Sequence, residues 1–183
     1  TAVVAFALAA PLMSSCVFHA NDGAKTSTPP VTQESGRNWS NVPTQTITAG
    51  GVNFVYRELG KSNGGTPVVF LVHLAAVLDN WDPRIMDGIA AKHHVIAFDN
   101  RGIGASSGKP SNSMEQMADD AITFIKAMGF TQVDLLGFSL GGMIAQEMVL
   151  KEPQLVRKMI LAGTGPAGGE GIIGLQRAFQ LAG

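Results

Sequence analysis

The sequence has few cysteines and few charges, and each shortage excludes a class of protein. Cys16 is the single cysteine among 183 residues, so a framework of internal disulfides is excluded. Charged residues make up 15% of the chain and the net charge is −1, which offers no basic surface to nucleic acid. Residues 102–104 lack the third glycine of a dinucleotide-binding fingerprint, and no P-loop occurs. We therefore expect neither a nucleic-acid partner nor a nucleotide cofactor.

Metal-binding patterns and membrane-spanning runs are missing as well. His93 and His94 are predicted to lie on the surface, and no further ligands are spaced to complete a metal site with them. No metal or other cofactor is expected. Residues 1–12 are almost wholly apolar, but a helix that spans a bilayer needs about 20 such residues.

The apolar start of the chain is typical of an export signal that has lost its basic beginning. Small residues lead up to Cys16, as in a bacterial lipobox, where the cysteine is lipidated and attaches the protein to a membrane. Residues 1–16 are thus predicted to be an export signal or a lipoprotein signal. A plain signal cleaved nearby, with Cys16 incidental, is the alternative. Either way we expect an exported protein, periplasmic or anchored to the membrane, rather than a cytoplasmic one.

The rest of the chain divides by composition. Residues 17–43 are rich in Ser, Thr, Pro, Asn and Gly and are predicted to form a flexible linker. Residues 44–165 alternate strand-length apolar runs with amphipathic helical patterns, which favours an α/β fold with a mostly parallel sheet. Residues 166–183 are predicted to begin a cap over the site. Because the chain starts with Thr1 and stops inside an apolar helical pattern, we expect a fragment of a longer protein.

Two helices carry more detailed predictions. Residues 80–92 have helical composition, and their core-facing side chains are predicted to be Trp81, Ile85, Met86 and Ile89. Residues 114–128 form an amphipathic pattern, with Ser113 predicted to cap its first turn.

The chemically informative stretch is residues 137–141, which read G-F-S-L-G. An apolar run of strand length precedes it and a helical pattern follows it. This context favours a nucleophile elbow over an ordinary glycine-rich turn. Such an elbow holds Ser139 on a strained turn, and Gly137 and Gly141 leave room for the turn to close. The helix behind it directs free amides and a positive dipole end at a bound anion.

Two further motifs accompany the elbow, and together they resemble the α/β-hydrolase family. Residues 72–75 read V-H-L-A, where the family usually has His-Gly-x. Residues 99–106 read D-N-R-G-I-G-A-S and match the D-x-R-G-x-G-x-S loop of the family. The resemblance runs from about residue 47 to residue 162. Within the family, the chain resembles serine hydrolases that are related to cofactor-free haloperoxidases and perhydrolases. It implies an α/β-hydrolase fold, truncated before the last strands.

The resemblance also implies roles for individual residues. Ser139 would be the nucleophile, and the backbone amides of Leu140 and Ala75 would form the oxyanion hole. Leu74 stands where the family has glycine, and a positive φ there would be costly for leucine.

The remaining motif residues would have structural roles by the same resemblance. His73, Asp99 and Arg101 would support the loops that surround the site.

The partners of the nucleophile are not evident. In this family the acid and then the histidine follow the serine, yet the sequence after Ser139 contains no aspartate and no histidine. Glu170 follows the sixth predicted strand, where a few family members place the acid. We expect the acid and the histidine to lie outside this chain.

Three functions remain open from the sequence. The leading hypothesis is a serine hydrolase that acts on a small-molecule ester or related acyl substrate through an acyl-Ser139 intermediate, with the fragment itself nearly inactive. The alternatives are a non-catalytic ligand-binding protein on the same fold and a surface-anchored structural lipoprotein.

Overall fold

Short apolar runs form the strands and amphipathic segments form the helices in the computed structural model, which describes residues 36–166 and 169. The predictions for residues 1–35, including the export signal and Cys16, lie outside the described residues, as do Glu170 and most of the proposed cap. The described elements are β1 (Gln45–Ala49), β2 (Val52–Leu59), β3 (Val68–Leu71), α1 (Pro83–Ala90), β4 (Val95–Phe98), α2 (Met114–Ala127), β5 (Val133–Phe138), α3 (Leu140–Lys151) and β6 (Val156–Ala162). None of the described helices has the length and hydropathy to cross a membrane.

The six described strands form one sheet in the order β1-β2-β4-β3-β5-β6. The four strands from β3 to β6 are parallel to their neighbours in that group, whereas β1 and β2 pair antiparallel. The mostly parallel sheet flanked by helices is therefore confirmed. Because parallel strands end at one edge of a sheet, the loops after β3, β4 and β5 emerge together. These are the loops that carry the three motifs.

Alternating side chains of the central strands pack into two separate hydrophobic clusters. In β3, Val69 belongs to the cluster under α2 and α3, whereas Phe70 belongs to the cluster under α1. This division follows from the two-residue period of a strand. The first cluster is built on aromatic rings, with Phe98 stacked on Phe124 at 4.3 Å and Phe54 edge-on to both.

The packed region begins earlier than residue 44. Trp39 is only 1% exposed and Val42 only 6%, and both belong to the second core cluster. The Trp39 amide donates a 2.7 Å hydrogen bond to Asp87 of α1, and the Arg57 guanidinium lies 6.0 Å from its ring centroid. The predicted linker of residues 17–43 was too long at its C-terminal end. The polar composition of the segment does not indicate that it packs on the core. Burial of the large apolar area of Trp39 stabilises this packing.

One predicted core residue is exposed. Met86 and Ala90 of α1 are buried and Trp81 packs beneath them, but Ile85 is 49% exposed. The helix begins at Pro83, with Asp82 as its N-cap, so Trp81 precedes the helix and does not define its buried face. The face set by Met86 and Ala90 leaves Ile85 in solvent.

His94 contradicts the surface prediction, whereas His93 is exposed as expected. The His94 side chain is 6% exposed and its Nε2 lies 2.9 Å from Oε2 of Glu58. Lys61 contacts the same carboxylate at 3.2 Å. Burial lowers the pKa of His94 below its ordinary value of 6.5, although Glu58 opposes the shift. The sequence could not show this pairing because Glu58 is 36 residues away.

This burial predicts a pH dependence of stability. The unfolded chain binds a proton on His94 as the pH falls through about 6.5, whereas the folded chain resists protonation. The stabilising contribution is therefore fully present above that pH and is lost as the pH falls toward the lower folded-state pKa. We expect the free energy of unfolding to fall between about pH 7.5 and about pH 5.5, and His94→Gln to flatten this slope. Urea titrations at both pH values measure this change in the free energy of unfolding, and His93→Gln is the matched control. An equal change in wild type and in His94→Gln would contradict the prediction.

The last described strand has an apolar and open surface. Met159, Ile160 and Leu161 of β6 are 36%, 58% and 42% exposed. Among the described residues, β6 lies at the edge of the sheet, so one side of its backbone has no neighbouring strand there.

Candidate active site

Ser139 occupies the one-residue turn between β5 and α3. Its backbone has φ 51° and ψ −114°, a conformation that costs a non-glycine residue about 1–3 kcal/mol. The surrounding structure holds it there. The Ser139 amide donates to the carbonyl of Ala162 at 2.9 Å, and the Ser139 carbonyl accepts from Gly142 N at 2.9 Å and from Thr164 Oγ1 at 2.7 Å. The turn is thus fixed to the end of β6.

The glycines around Ser139 are required by close contacts, with backbone atoms at Gly137 and Gly141 and with the Thr164 side chain at Gly142. A Cβ on Gly137 would lie 2.5 Å from the carbonyl oxygen of Gly141, and a Cβ on Gly141 would overlap the carbonyl oxygen of Leu71 in β3. A Cβ on Gly142 would lie 2.7 Å from Cβ of Thr164. These three glycines therefore let α3 start directly against the sheet, as the strand–turn–helix arrangement demands.

Leu140 and Ala75 have backbone amides without a hydrogen-bond acceptor among the described residues. Leu140 is the first residue of α3, where the helix has no internal acceptor for its N–H group. Among residues 36–166 and 169, no backbone or side-chain oxygen accepts a hydrogen bond from either amide. Both residues line the same small pocket.

The loop after β3 differs from the expectation for Leu74. The residue with positive φ is Ala75, at 58°, whereas Leu74 lies before it with its side chain 68% exposed. The Ala76 amide donates to the carbonyl of His73 at 3.3 Å, so Ala75 is the third residue of a tight turn. That position requires positive φ in a type II turn. The strained residue of this loop is therefore Ala75, whose amide has no acceptor among the described residues.

Asp99 joins two loops beside the site. It is 4% exposed, and its Oδ1 and Oδ2 accept from the amides of Leu78 at 2.8 Å and Ala105 at 3.3 Å. Burial raises its pKa above the ordinary 3.8, against the lowering by these two hydrogen bonds. Gly104 is required because a Cβ there would overlap the Asp99 carboxylate. Ser106 Oγ donates to the Asp99 carbonyl at 2.7 Å.

Arg101 connects the same loop to α2. Its guanidinium forms a two-point ion pair with Asp120, in which Nε lies 2.8 Å from Oδ2. Gln116 donates to Asp120 at 3.1 Å. The sequence interpretation missed Asp120, which is 6% exposed. The available signal was an acidic residue on the apolar face of a helix, three residues after Met117 and four before Phe124.

His73 contacts its own loop and the elbow. Its Nδ1 lies 2.9 Å from the carbonyl oxygen of Leu74, and its ring is edge-on to Phe138 at 5.5 Å. Within the described part of the chain, no histidine or carboxylate forms a hydrogen bond with the Ser139 hydroxyl, and no cluster of three or more potential ligands could hold a metal.

A pocket of about 100 Å³ is lined by Ala75 and Leu140, whereas Ser139 is not among its lining residues. Its walls come from the loops after β3 and β4, from α2 and from the start of α3, and most of its lining residues are apolar: Leu74, Ala75, Ala76, Ile103, Pro110, Met117 and Leu140. The polar lining residues are His73, Asn100, Arg101, Ser111 and Asp120. A larger crevice of about 290 Å³, between residues 36–38 and the ends of β2 and α1, includes none of these residues.

Comparison with known proteins agrees with this geometry. A family described as alpha/beta hydrolase fold matches residues 66–179. The chain is 32% identical over 114 residues to a candidate non-heme bromoperoxidase, BpoC, of Mycobacterium tuberculosis, covering 62% of this chain and 42% of that protein. It is 30% identical over 123 residues to the serine hydrolase BPHL of Mus musculus, covering 64% and 41%.

A solved structure shows the same architecture. An alpha/beta hydrolase fold protein from Chitinophaga pinensis superposes with a TM-score of 0.72 at 38% identity, covering 79% of this chain and 54% of that one. The chain thus spans about half the length of the relatives it matches. The family match, the sheet order and the strained serine turn lead to one conclusion: this chain belongs to the α/β-hydrolase family.

Proposed function

We propose that the complete protein is a serine hydrolase that acts on an ester or related acyl substrate through an acyl-Ser139 intermediate. The observation that carries this proposal is the strained backbone of Ser139, at φ 51°, in the turn that leads directly into α3. Strain of this kind persists where the surrounding structure imposes it and is concentrated at functional sites.

The proposed reaction uses these groups in sequence. The Ser139 hydroxyl attacks the carbonyl carbon of the substrate and gives its proton to a base that lies outside the described residues. The carbonyl oxygen becomes negative and accepts hydrogen bonds from the amides of Leu140 and Ala75, each worth about 3–4 kcal/mol of barrier in comparable sites. The alcohol or amine departs with a proton, and water then hydrolyses the acyl-serine bond.

The positive end of α3 supports the same assignment. Twelve residues of helix begin at Leu140, and the aligned peptide dipoles favour negative charge at that end. The name of the relative BPHL, a serine hydrolase, agrees with a serine nucleophile.

A ligand-binding protein without catalysis is the second candidate. It is favoured by one observation: no histidine or carboxylate of the described residues forms a hydrogen bond with the Ser139 hydroxyl. A serine without a base is a poor nucleophile. The two functions differ in whether Ser139 is reactive in the complete protein.

Covalent labelling distinguishes them. We expect a fluorophosphonate probe to label the protein expressed from its complete reading frame, and peptide mapping to place the label on Ser139. The same protein should hydrolyse p-nitrophenyl acetate, whereas the 183-residue chain should show only the residual catalysis that an oxyanion hole and binding provide. A complete protein that binds ligands but takes no label on Ser139 would favour the binding function.

A further inference from the structure

We propose that Thr164, in the segment that follows β6, is a positioning residue that aims the Leu140 amide at the oxyanion formed during the reaction. It acts through the peptide unit that joins Ser139 to Leu140 and does not touch the substrate. This inference rests on the proposed function, because it adds a residue to the same site. It concerns how fast the site works, not whether Ser139 reacts.

The carbonyl oxygen of Ser139 is held by two donors. The Gly142 amide donates to it at 2.9 Å in the first turn of α3, and the Thr164 hydroxyl donates to it at 2.7 Å. The same hydroxyl lies 3.4 Å from the carbonyl oxygen of Gly165, but its single proton makes the stronger hydrogen bond with the nearer oxygen. Both acceptor positions of the Ser139 carbonyl are therefore used.

The direction of the Leu140 amide is set by that carbonyl. The peptide unit between Ser139 and Leu140 is planar, and none of the described residues has a cis peptide bond, so the Leu140 N–H points opposite to the Ser139 C=O. Rotation of one group therefore turns the other. A hydrogen bond that fixes the carbonyl aims the amide on the opposite side of the plane. It also polarises the peptide unit, which strengthens the N–H group as a donor.

The Thr164 side chain is itself held in place. Its methyl group fills the space beside Gly142, where an added Cβ would overlap it, and its hydroxyl on the other branch of Cβ faces Ser139. A β-branched side chain has restricted rotation at χ1. Gln146 of α3 fixes the adjacent backbone, because its Nε2 donates to the carbonyls of Gly142 at 3.0 Å and of Gly165 at 3.1 Å. The hydroxyl is therefore presented to the carbonyl in one orientation.

Removal of the hydroxyl tests this role. Thr164→Val keeps the shape and the methyl contact but donates no hydrogen bond. Complete loss of one oxyanion donor costs about 10²- to 10³-fold in kcat. Since the Leu140 amide remains and is only less well aimed, we expect kcat for p-nitrophenyl acetate in the complete protein to fall about tenfold. KM should stay within about twofold, because the amide acts on charge that exists only in the transition state.

Two further variants make the test specific to the hydroxyl. Thr164→Ser keeps the donor, so its kcat should stay within about threefold of wild type, although serine lacks the β-branch that restricts χ1. Gln146→Met removes the link between Gly142 and Gly165 and leaves Thr164 unchanged. It should lower kcat in the same direction but by less than Thr164→Val, and it serves as the second variant if Thr164→Val folds poorly.

The matched control is Thr48→Val. The Thr48 hydroxyl also donates a 2.7 Å hydrogen bond, to Oδ1 of Asn53, which is its partner on the neighbouring strand β2. The same chemical group and a hydrogen bond of the same length are therefore lost. Because β1 and β6 lie at opposite edges of the described sheet, kcat of Thr48→Val should stay at the wild-type value.

The outcomes separate this inference from the proposed function. If wild type takes the fluorophosphonate label on Ser139 but Thr164→Val and Gln146→Met keep the wild-type kcat, the positioning role is refuted and the proposed function stands. A loss that Thr164→Ser shares in full, or one that appears only in KM, also refutes the role. An equal loss in Thr48→Val refutes it as well, because the effect would then be general. A wild-type protein that takes no label refutes the proposed function, and this inference with it.

Discussion

Ser139→Ala is expected to lower kcat of the proposed ester hydrolysis by about 10⁶-fold, the loss seen when the nucleophile of a serine protease is removed. The substitution removes only the hydroxyl group, and the backbone amides of Leu140 and Ala75 remain. Substrate binding should therefore persist, and KM for p-nitrophenyl acetate should change far less than kcat. Steady-state kinetics on the purified variant measure both values.

Ser139→Gly is the informative companion. It also removes the hydroxyl, but a glycine adopts φ 51° without steric cost. We expect Ser139→Gly to unfold with a free energy about 1 kcal/mol higher than Ser139→Ala, because only the alanine retains the backbone strain. Equal stabilities would mean that the strain at residue 139 is absent in solution. A kcat that survives either substitution would contradict the proposed nucleophile.

Gly141→Ala is expected to destabilise the fold by about 3 kcal/mol, at the upper end of the usual cost of overpacking. Its new methyl group would overlap the carbonyl oxygen of Leu71. That oxygen belongs to the backbone of β3, so neither a rotamer change nor a side-chain shift can relieve the overlap. The start of α3 would have to move away from the sheet.

A second helical glycine provides the matched control. Gly88 of α1 has no atom within 4 Å of the position its Cβ would take. Gly88→Ala should therefore stabilise the protein by about 0.5–1 kcal/mol, the ordinary gain of alanine over glycine in a helix. Thermal and urea unfolding compare the two variants with wild type. A Gly141→Ala protein as stable as Gly88→Ala would show that the close contact at the elbow is not present.

The positions of the elements could be predicted because they depend on local apolar periodicity. The apolar run at residues 95–98 is β4, and Ser113 caps α2 by accepting from the Gln116 amide at 3.1 Å, as its position before the helix indicates. The elbow could be located because its glycines and serine are adjacent in sequence.

Features that depend on distant contacts could not be predicted. Trp39 is buried against α1 and β2. His94 is buried beside Glu58, which lies on the strand paired with β4. Asp120 is paired with Arg101 of the loop after β4, 19 residues away in sequence. Composition and periodicity describe neighbours along the chain, whereas these placements are set by residues that are far apart in sequence.

The positive φ of Ala75 shows a different limit. From the sequence, Leu74 stands at the place of the usual glycine, where a positive φ would be costly for leucine. The structure places it one residue later, because the carbonyl of His73 closes a turn on the amide of Ala76. The position of a positive φ depends on which residues the turn hydrogen bond joins, and the pattern of residue types in the sequence does not reveal this.

The carboxylate of Asp99 makes the two loops around the pocket mechanically dependent on each other. One of its oxygens holds Leu78 and the other holds Ala105, so a displacement of either segment changes the hydrogen bond that positions the other. Directed evolution that randomises only one of these loops would therefore alter the shape of both. Libraries that vary residues 74–78 and 100–106 jointly, with Asp99 kept, would sample compatible pairs that separate libraries discard.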